Sequence, residues 1–375
     1  MAELPLKGLR VIELARILAG PWAGQTLADL GAEVIKIESK TGDDTRTWGP
    51  PFINTGDETN AAYYHSCNRG KQSVSLDFKD KNDLLKLKNL IASADILIEN
   101  FKVGGLDKYG LDYKTLHNNY PSLIYCSITG FGQTGPYAKR AGYDFLMQGM
   151  SGLMSITGEP DSQPQKVGVA VTDIFTGLYA VIAVQAALRS RDTTGLGQHI
   201  DLSLLDVATA TTANQAMNYL ATGTPPNRRG NNHPNIVPYC AVSTSDGYII
   251  LAVGNDEQFK NFNKIFDVEW YRKNKFKTNP ARLENRDELL NLIEGKTINF
   301  SSADLLIECE NYGVPAGPIN TLEDVFNDPQ ILHRGMKIDL DGVPSVKNPI
   351  IFSDIEMSYD SPSPNLGDSN KKFLK

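Results

Sequence analysis

Five short apolar stretches alternate with helical patterns through the first 130 residues, and that alternation restricts the chain to one kind of fold. Leu9-Arg10-Val11-Ile12-Glu13-Leu14 reads as a strand, and Pro21 then stands where the first turn of a helix would begin. Val34-Ile35-Lys36-Ile37 reads as a second strand, so the first ~40 residues make a β-α-β unit. Residues 73–77, 95–100 and 123–128 are three further strands. Between them, residues 80–91 carry Leu84, Leu85, Leu87, Leu90 and Ile91 on one helical stripe. Such repetition predicts an α/β fold with a Rossmann-like open parallel sheet covered on both faces. The turn from Ala15 to Pro21 lacks the G-x-G-x-x-G spacing, so this sheet is not expected to bind a dinucleotide.

A chain of 375 residues exceeds one ordinary core, and two domains are expected. Residues 204–220 read as one long helix with little charge after Asp206, suited to a large core or a subunit interface. The texture changes after Pro225-Pro226-Asn227-Arg228-Arg229-Gly230. A hairpin about Ser245-Asp246-Gly247 then opens a smaller α+β domain, with helical patterns at 257–266, 286–293, 303–312 and 322–326. The expected division is a large domain over 1–222, a small one over 223–330, and a segment over 331–375 that returns to the first.

Charge and motifs exclude several functions. A net charge of -7 argues against nucleic acid as the partner, while leaving room for an anionic ligand on a local basic patch. Cys67, Cys126, Cys240 and Cys309 lack paired spacing, which indicates neither zinc nor disulfides and fits reduced thiols in the cytoplasm. No apolar run in the sequence reaches the roughly 18 residues of a membrane span, and residues 1–6 lack the features of a targeting peptide. There is no G-x-S-x-G elbow, no phosphate-binding glycine-lysine loop, and no metal-ligand cluster; none of the five histidines sits in an evident catalytic turn.

Two features remain. Val167-Gly168-Val169-Ala170-Val171-Thr172 is a run of small and β-branched residues that should be buried, yet it ends in Asp173 before a helix pattern to Leu188. Asp173 or Thr172 could cap that helix, and Asp173 could equally be a nucleophile, since a helix N-terminus keeps a carboxylate ionised. Basic residues also scatter over the first domain's loops: Arg16, Lys40, Arg46, Arg69, Lys71, Lys79, Lys102, Lys108 and Arg140. Several follow strands directly, where open α/β sheets bind ligands, so a phosphate-rich ligand at that edge is a collective expectation.

Ala19-Gly20-Pro21, residues 29–38, Asn68-Arg69-Gly70-Lys71, Glu99-Asn100-Phe101, residues 130–136, Ala141-Gly142-Tyr143-Asp144 and the Asp173 stretch resemble, in order, the class III (CaiB/BaiF) CoA-transferases. Thr194-Gly195-Leu196-Gly197-Gln198 and residues 313–320 extend the resemblance over nearly the whole chain. Residues 140–144, 236–239 and 253–259 suggest the branch that uses small dicarboxylates and donors such as succinyl-CoA. The resemblance implies two interlocked subunits and Asp173 as the nucleophile. It puts CoA contacts on Arg16, Leu18, Ala19, Leu76, Lys79, Asn100, Phe101, Lys102, Lys108, Ala141, Tyr143 and Asp144. A family arginine falls on Ser39, with Lys40 as its substitute, and a family glycine loop has only Gly254 and Asn255 as its local counterpart.

The implied reaction passes through an acyl-aspartyl anhydride and an aspartyl-CoA thioester, with CoA itself the one coenzyme and no metal. Backbone donors from residues 130–135 and 254 are expected at the anionic intermediates, and Arg228 and Arg229 at a dicarboxylate's second charge. Two alternatives resemble the same fold. A 2-methylacyl-CoA racemase needs a second base, and Tyr143 stands where that branch has histidine. A catalytically silent CoA-binding protein would not need Asp173.

Overall fold

Strands β1 (Arg10–Glu13) and β2 (Glu33–Glu38) form where the sequence predicts them, and a hairpin of β3 (Phe52–Thr55) and β4 (Glu58–Ala61) follows them outside the main sheet. Then come β5 (Gln72–Ser75), β6 (Ile96–Glu99), β7 (Ile124–Thr129) and a strand the sequence reading missed, β8 (His199–Ser203). In the computed structural model, which describes residues 3–56 and 58–374, six of these make one parallel sheet in the order β5-β2-β1-β6-β7-β8. β8 is short and polar at alternate positions (His199, Asp201, Ser203), so no apolar run announces it.

The chain's direction across the sheet reverses between β1 and β6: β2 and β5 build out on one side, β6 and β7 on the other. The connections leaving those two adjacent strands diverge, and a crevice opens beyond their carboxyl ends. That crevice is where the candidate site lies.

The helices up to residue 222 are α1 (Ala19–Asp29), α2 (Ala62–His65), α3 (Lys81–Ala92), α4 (Tyr113–Asn119), α5 (Asp144–Met150), α6 (Leu153–Ile156), α7 (Val171–Thr194), α8 (Leu204–Ala210) and α9 (Ala213–Thr222). Alternate strand residues face opposite ways, and the two faces have separate cores. Ile12, Leu14, Ile35, Ile37 and Leu97 pack with Leu87, Leu90 and Ile91 of α3 on one face. Val11, Val34, Ile96, Ile98 and Ile124 pack with α1 and with Ala180, Val184 and Ala187 of α7 on the other.

Helix α7 is seated close to α1. A Cβ on Gly177 would stand 2.7 Å from the Ala19 carbonyl oxygen and 3.1 Å from Trp22 Cβ, so only glycine allows this approach one turn beyond Asp173. The rest of α7 corrects three expectations. It runs on to Thr194, and its N-cap is Ala170, with no side-chain cap. The run before it is not buried: Val169 is 58% exposed and Val167, Ala170 and Val171 are half-buried. Among the described residues α7 is also the one helix long and apolar enough to cross a membrane, although its sequence holds no unbroken apolar run of that length. Phe175, Leu178, Tyr179 and Ile182 on it are exposed, while its opposite side enters the core.

The expected long helix at 204–220 is two. Thr211 and Thr212 separate α8 from α9, and Ala213 adopts a positive φ of 44°. Threonines whose hydroxyls bond backward to carbonyls, as Thr209, Thr211 and Thr212 do here, compete with regular helix.

Contacts divide the chain into two units, the second made of Met154–Gln165 with Pro225–Asp328 and the first of everything else, including Pro329–Lys375. The second unit holds an antiparallel sheet of β9 (Tyr239–Ser243), β10 (Tyr248–Ala252) and β11 (Ala316–Pro318). Helices α10 (Asp256–Ile265), α11 (Asn279–Glu284), α12 (Arg286–Thr297) and α13 (Ser302–Asn311) surround a core of Phe259, Phe262, Leu289 and Ile293, and α14 (Leu322–Asn327) follows with no buried residue. Residues 154–165 belong here because Arg228 donates to the carbonyls of Glu159, Pro160 and Ser162, and Gly230 N–H to Gly158. In the first unit the tail forms a hairpin, β12 (Lys337–Leu340) and β13 (Val343–Val346), and residue 364 reaches back to Arg46 and Tyr64.

Candidate active site

A cavity of about 420 Å³ opens beyond the ends of β1, β6 and β7. One wall is the turn after β1, with Arg16, Leu18 and Ala19; another is the turn after β6, with Asn100, Phe101 and Lys102. Ala141 and Tyr143 form a third, and Asp173 closes the inner end. Asn100 ties the first two walls together: its side-chain oxygen accepts the Arg16 N–H at 3.0 Å and its amide donates to the Arg16 carbonyl at 2.8 Å. Glu99 holds the next amide, accepting the Phe101 N–H at 2.7 Å. The third wall sits against β7 because Gly130 and Gly142 touch; a Cβ on Gly130 would lie 2.7 Å from Gly142 Cα.

Asp173 stands in the first turn of α7, where the backbone amides favour a negative charge. It caps nothing: its carboxylate accepts no hydrogen bond from a described residue, though it is only 9% exposed. The outside cap comes from Asp144, at the start of α5, which accepts the Thr172 N–H at 2.8 Å and binds Gln148 Nε2 at 2.7 Å. Burial, and then the negative charge of Asp144, push the Asp173 carboxyl up to about 7. Tyr63, also close enough to feel both carboxylates, has its phenol pushed up to about 12, chiefly by burial. A desolvated carboxylate without donors, on the wall of a cavity, has the properties of a nucleophile and few of a structural cap.

Comparison with known proteins fits this geometry. The profile of CoA-transferase family III matches residues 6–370. The chain belongs to that family. It is 54% identical over 99% of its length to a succinate–glutarate CoA-transferase of Agrobacterium fabrum, 95% of which is covered. It is 43% identical, over 99% of the chain and 86% of the relative, to a succinyl-CoA:glutarate CoA-transferase of Mus musculus. A solved CaiB/BaiF family protein from Brucella suis superposes with a TM-score of 0.91 at 58% identity, covering 100% of this chain and 99% of that one. This class III enzyme transfers CoA between an acyl-CoA and a carboxylate.

The structure gathers Arg16, Leu18, Ala19, Asn100, Phe101, Lys102, Ala141 and Tyr143 around Asp173, with Asp144 next to them. It sets the other nominated residues elsewhere. Lys40 is paired with Asp83 at 3.1 Å and donates to the Ser75 carbonyl. Leu76 is buried in the core beneath, Lys79 is exposed, and Lys108 lies over the Tyr109 ring at 4.9 Å. Of the scattered cations, Arg46, Arg69 and Lys71 are corrected: each is buried in ion pairs, with Glu38, Asp29 and Glu13 respectively, and is unavailable to a phosphate.

Three of the expected oxyanion donors are engaged. Gly132 N–H bonds Thr129 Oγ1, Gln133 N–H bonds the Asp201 carboxylate, and Gly254 N–H bonds Gln258 Oε1. Asn255 is the N-cap of α10, accepting from Gln258 N. In the second unit Arg228 spends its donors on three carbonyls, whereas Arg229 is exposed. Sequence reasoning missed Ile17 and Val103, which line the cavity, and Tyr63 near Asp173. Only their positions next to nominated residues could have marked the first two; nothing in the sequence marks Tyr63. Among the described residues no three His, Cys, Asp or Glu side chains lie together as a metal site requires.

Proposed function

We propose that Asp173 carries CoA through the reaction as an aspartyl thioester. One Asp173 oxygen attacks the thioester carbonyl of the donor, expelling CoA thiolate and leaving an acyl-aspartyl anhydride. The thiolate attacks the aspartyl carbonyl, releasing the donor's free acid and forming aspartyl-CoA. An acceptor carboxylate then attacks that thioester and expels thiolate, and the thiolate takes the acyl carbonyl of the new anhydride, which frees Asp173. Every step exchanges one carboxylate for one thiolate, so no group beyond CoA is required. The observation that carries this reading is the buried, donor-free carboxylate of Asp173 on the cavity wall.

The cavity takes the thioester end of the acyl-CoA, with Arg16, Lys102 and Arg140 at its rim for the phosphates. Succinyl-CoA and small dicarboxylates are the preferred donor and acceptors, supported by the names of the relatives at 54% and 43% identity. The enzyme works as an interlocked homodimer whose second copy covers Phe175, Leu178, Tyr179 and Ile182 of α7 and Met217, Tyr219 and Leu220 of α9. Four buried, unpaired cysteines suit a cytoplasmic location.

Asp173→Ala should abolish transfer and leave CoA binding nearly intact. Adding an acyl-CoA and then hydroxylamine should modify Asp173 alone, read by peptide mass. Turnover above about a tenth of wild type, or an unmodified Asp173 peptide, removes the covalent route. Light scattering should give about twice the chain mass of 41.2 kDa.

A further inference from the structure

Ile17 holds a φ of 73°. A β-branched residue is rare in that left-handed region, and it persists only where the surroundings over-determine it. Here they do. Asp43 accepts the Ile17 N–H at 3.2 Å, Cys67 Sγ lies 3.6 Å from the Ile17 carbonyl, and Lys36 Nζ donates to the Ala15 carbonyl at 3.0 Å. With Asn100 gripping both backbone groups of Arg16, the turn between β1 and α1 is clamped along its length.

The clamp is itself buried. Lys36 Nζ is 2.9 Å from Asp43 and 3.1 Å from Glu13, and Lys71 Nζ is 2.8 Å from Glu13, so two cations and two carboxylates balance beneath the turn. Asp43 also accepts from Thr45 N and Oγ1, which aims its carboxylate at Ile17 and Lys36. Four buried charges are costly to desolvate and add little net stability, so their use is geometric rather than energetic. The turn they hold presents Arg16, Ile17, Leu18 and the uncapped start of α1 to the cavity.

We infer that Asp43 and Lys36 are positioning residues for CoA, which hold the strained Ile17 turn in its binding shape before the ligand arrives. This rests on the reading of the cavity as the CoA site. Asp43 touches no reacting atom, and its influence runs through the Ile17 backbone into ligand affinity.

The test is a double-mutant cycle read as the Kd of CoA, with KM and kcat measured alongside. Asp43→Asn should weaken CoA binding about tenfold and raise KM in proportion, with kcat at saturation within about twofold. In the Ile17→Gly background, where a positive φ costs nothing, the same change should weaken binding by no more than about twofold. Should Asp43→Asn fail to fold because Lys36 loses a counter-charge, Lys36→Met/Asp43→Asn removes one charge of each sign and is expected to give the same cycle. Equal losses in both backgrounds, or a loss in kcat alone, overturn the inference. Phe101→Ala separates the two levels: if it weakens CoA while the cycle shows no coupling, this inference fails alone; if it leaves CoA binding unchanged, the cavity reading fails with it.

Discussion

The carboxylate of Asp144 accepts the backbone N–H of Thr172 at 2.8 Å, which fixes a negative charge next to the residue that follows, Asp173. One contact thus does two things. It replaces the missing side-chain cap of α7, and it opposes the ionisation of Asp173 that the same helix start would otherwise favour. Burial adds to Asp144 in that opposition and is the larger cause, and together they outweigh the helix.

The first consequence is for stability. The Asp173 carboxyl is raised from 3.8 to about 7 in the folded chain, so folding is favoured by its protonated form. Below about pH 4 the group is protonated in both states and has no effect. As pH rises toward 7 the unfolded chain ionises more readily, and stability falls by an amount on the order of a few kcal/mol. Asp173→Asn never ionises. Its melting temperature should exceed that of the wild type above pH 7, and the gap should narrow steadily toward pH 5. A gap independent of pH would show that Asp173 is not held protonated by the fold.

The second concerns rate. Only the ionised carboxylate attacks, so log(kcat/KM) should climb with pH and level off above about 7. Asp144→Asn keeps an oxygen for the Thr172 N–H and removes the like charge, so the midpoint should move to lower pH. Because burial is the first cause, it should stay well above the ordinary carboxylate range. A midpoint unmoved by this substitution would mean that Asp144 acts on α7 by capping alone.

How much of this was legible in the sequence depends on the range of the interaction. Of the strands that join the main sheet, β1, β2, β6 and β7 are local apolar runs and β5 alternates serine with valine and leucine, and all were found; β8 also alternates, but with the ionisable His199 and Asp201, and was not. Asp173 was found, but its local reading as a cap was wrong, because the cap comes from Asp144, 28 residues before the Thr172 N–H that it accepts. Lys71 and Arg69 looked like ligand-binding cations because no sequence pattern says that Glu13 and Asp29 will neutralise them from other elements. The stretch from Val167 to Val171 was read as core from its composition. In the structure it is largely open, with Val169 exposed and Val167, Ala170 and Val171 half-buried.

The last prediction separates two neighbouring arginines that the sequence could not rank. Arg228 donates to the carbonyls of Glu159, Pro160 and Ser162 and so fastens the 154–165 segment to the second unit. Arg229 is exposed and, among the described residues, makes no side-chain hydrogen bond or ion pair. Arg228→Met should therefore lower the melting temperature and slow mono- and dicarboxylate acceptors alike. Arg229→Met should leave the melting temperature near wild type and cut the preference for glutarate over pentanoate. A desolvated arginine–carboxylate pair is worth roughly 1.5 to 3 kcal/mol, so the cut should be about ten- to a hundredfold in the ratio of kcat/KM values. Measured acceptor ratios that fall in Arg228→Met and hold in Arg229→Met would reverse the assignment. Ratios unchanged in both variants would take this loop out of the acceptor site altogether.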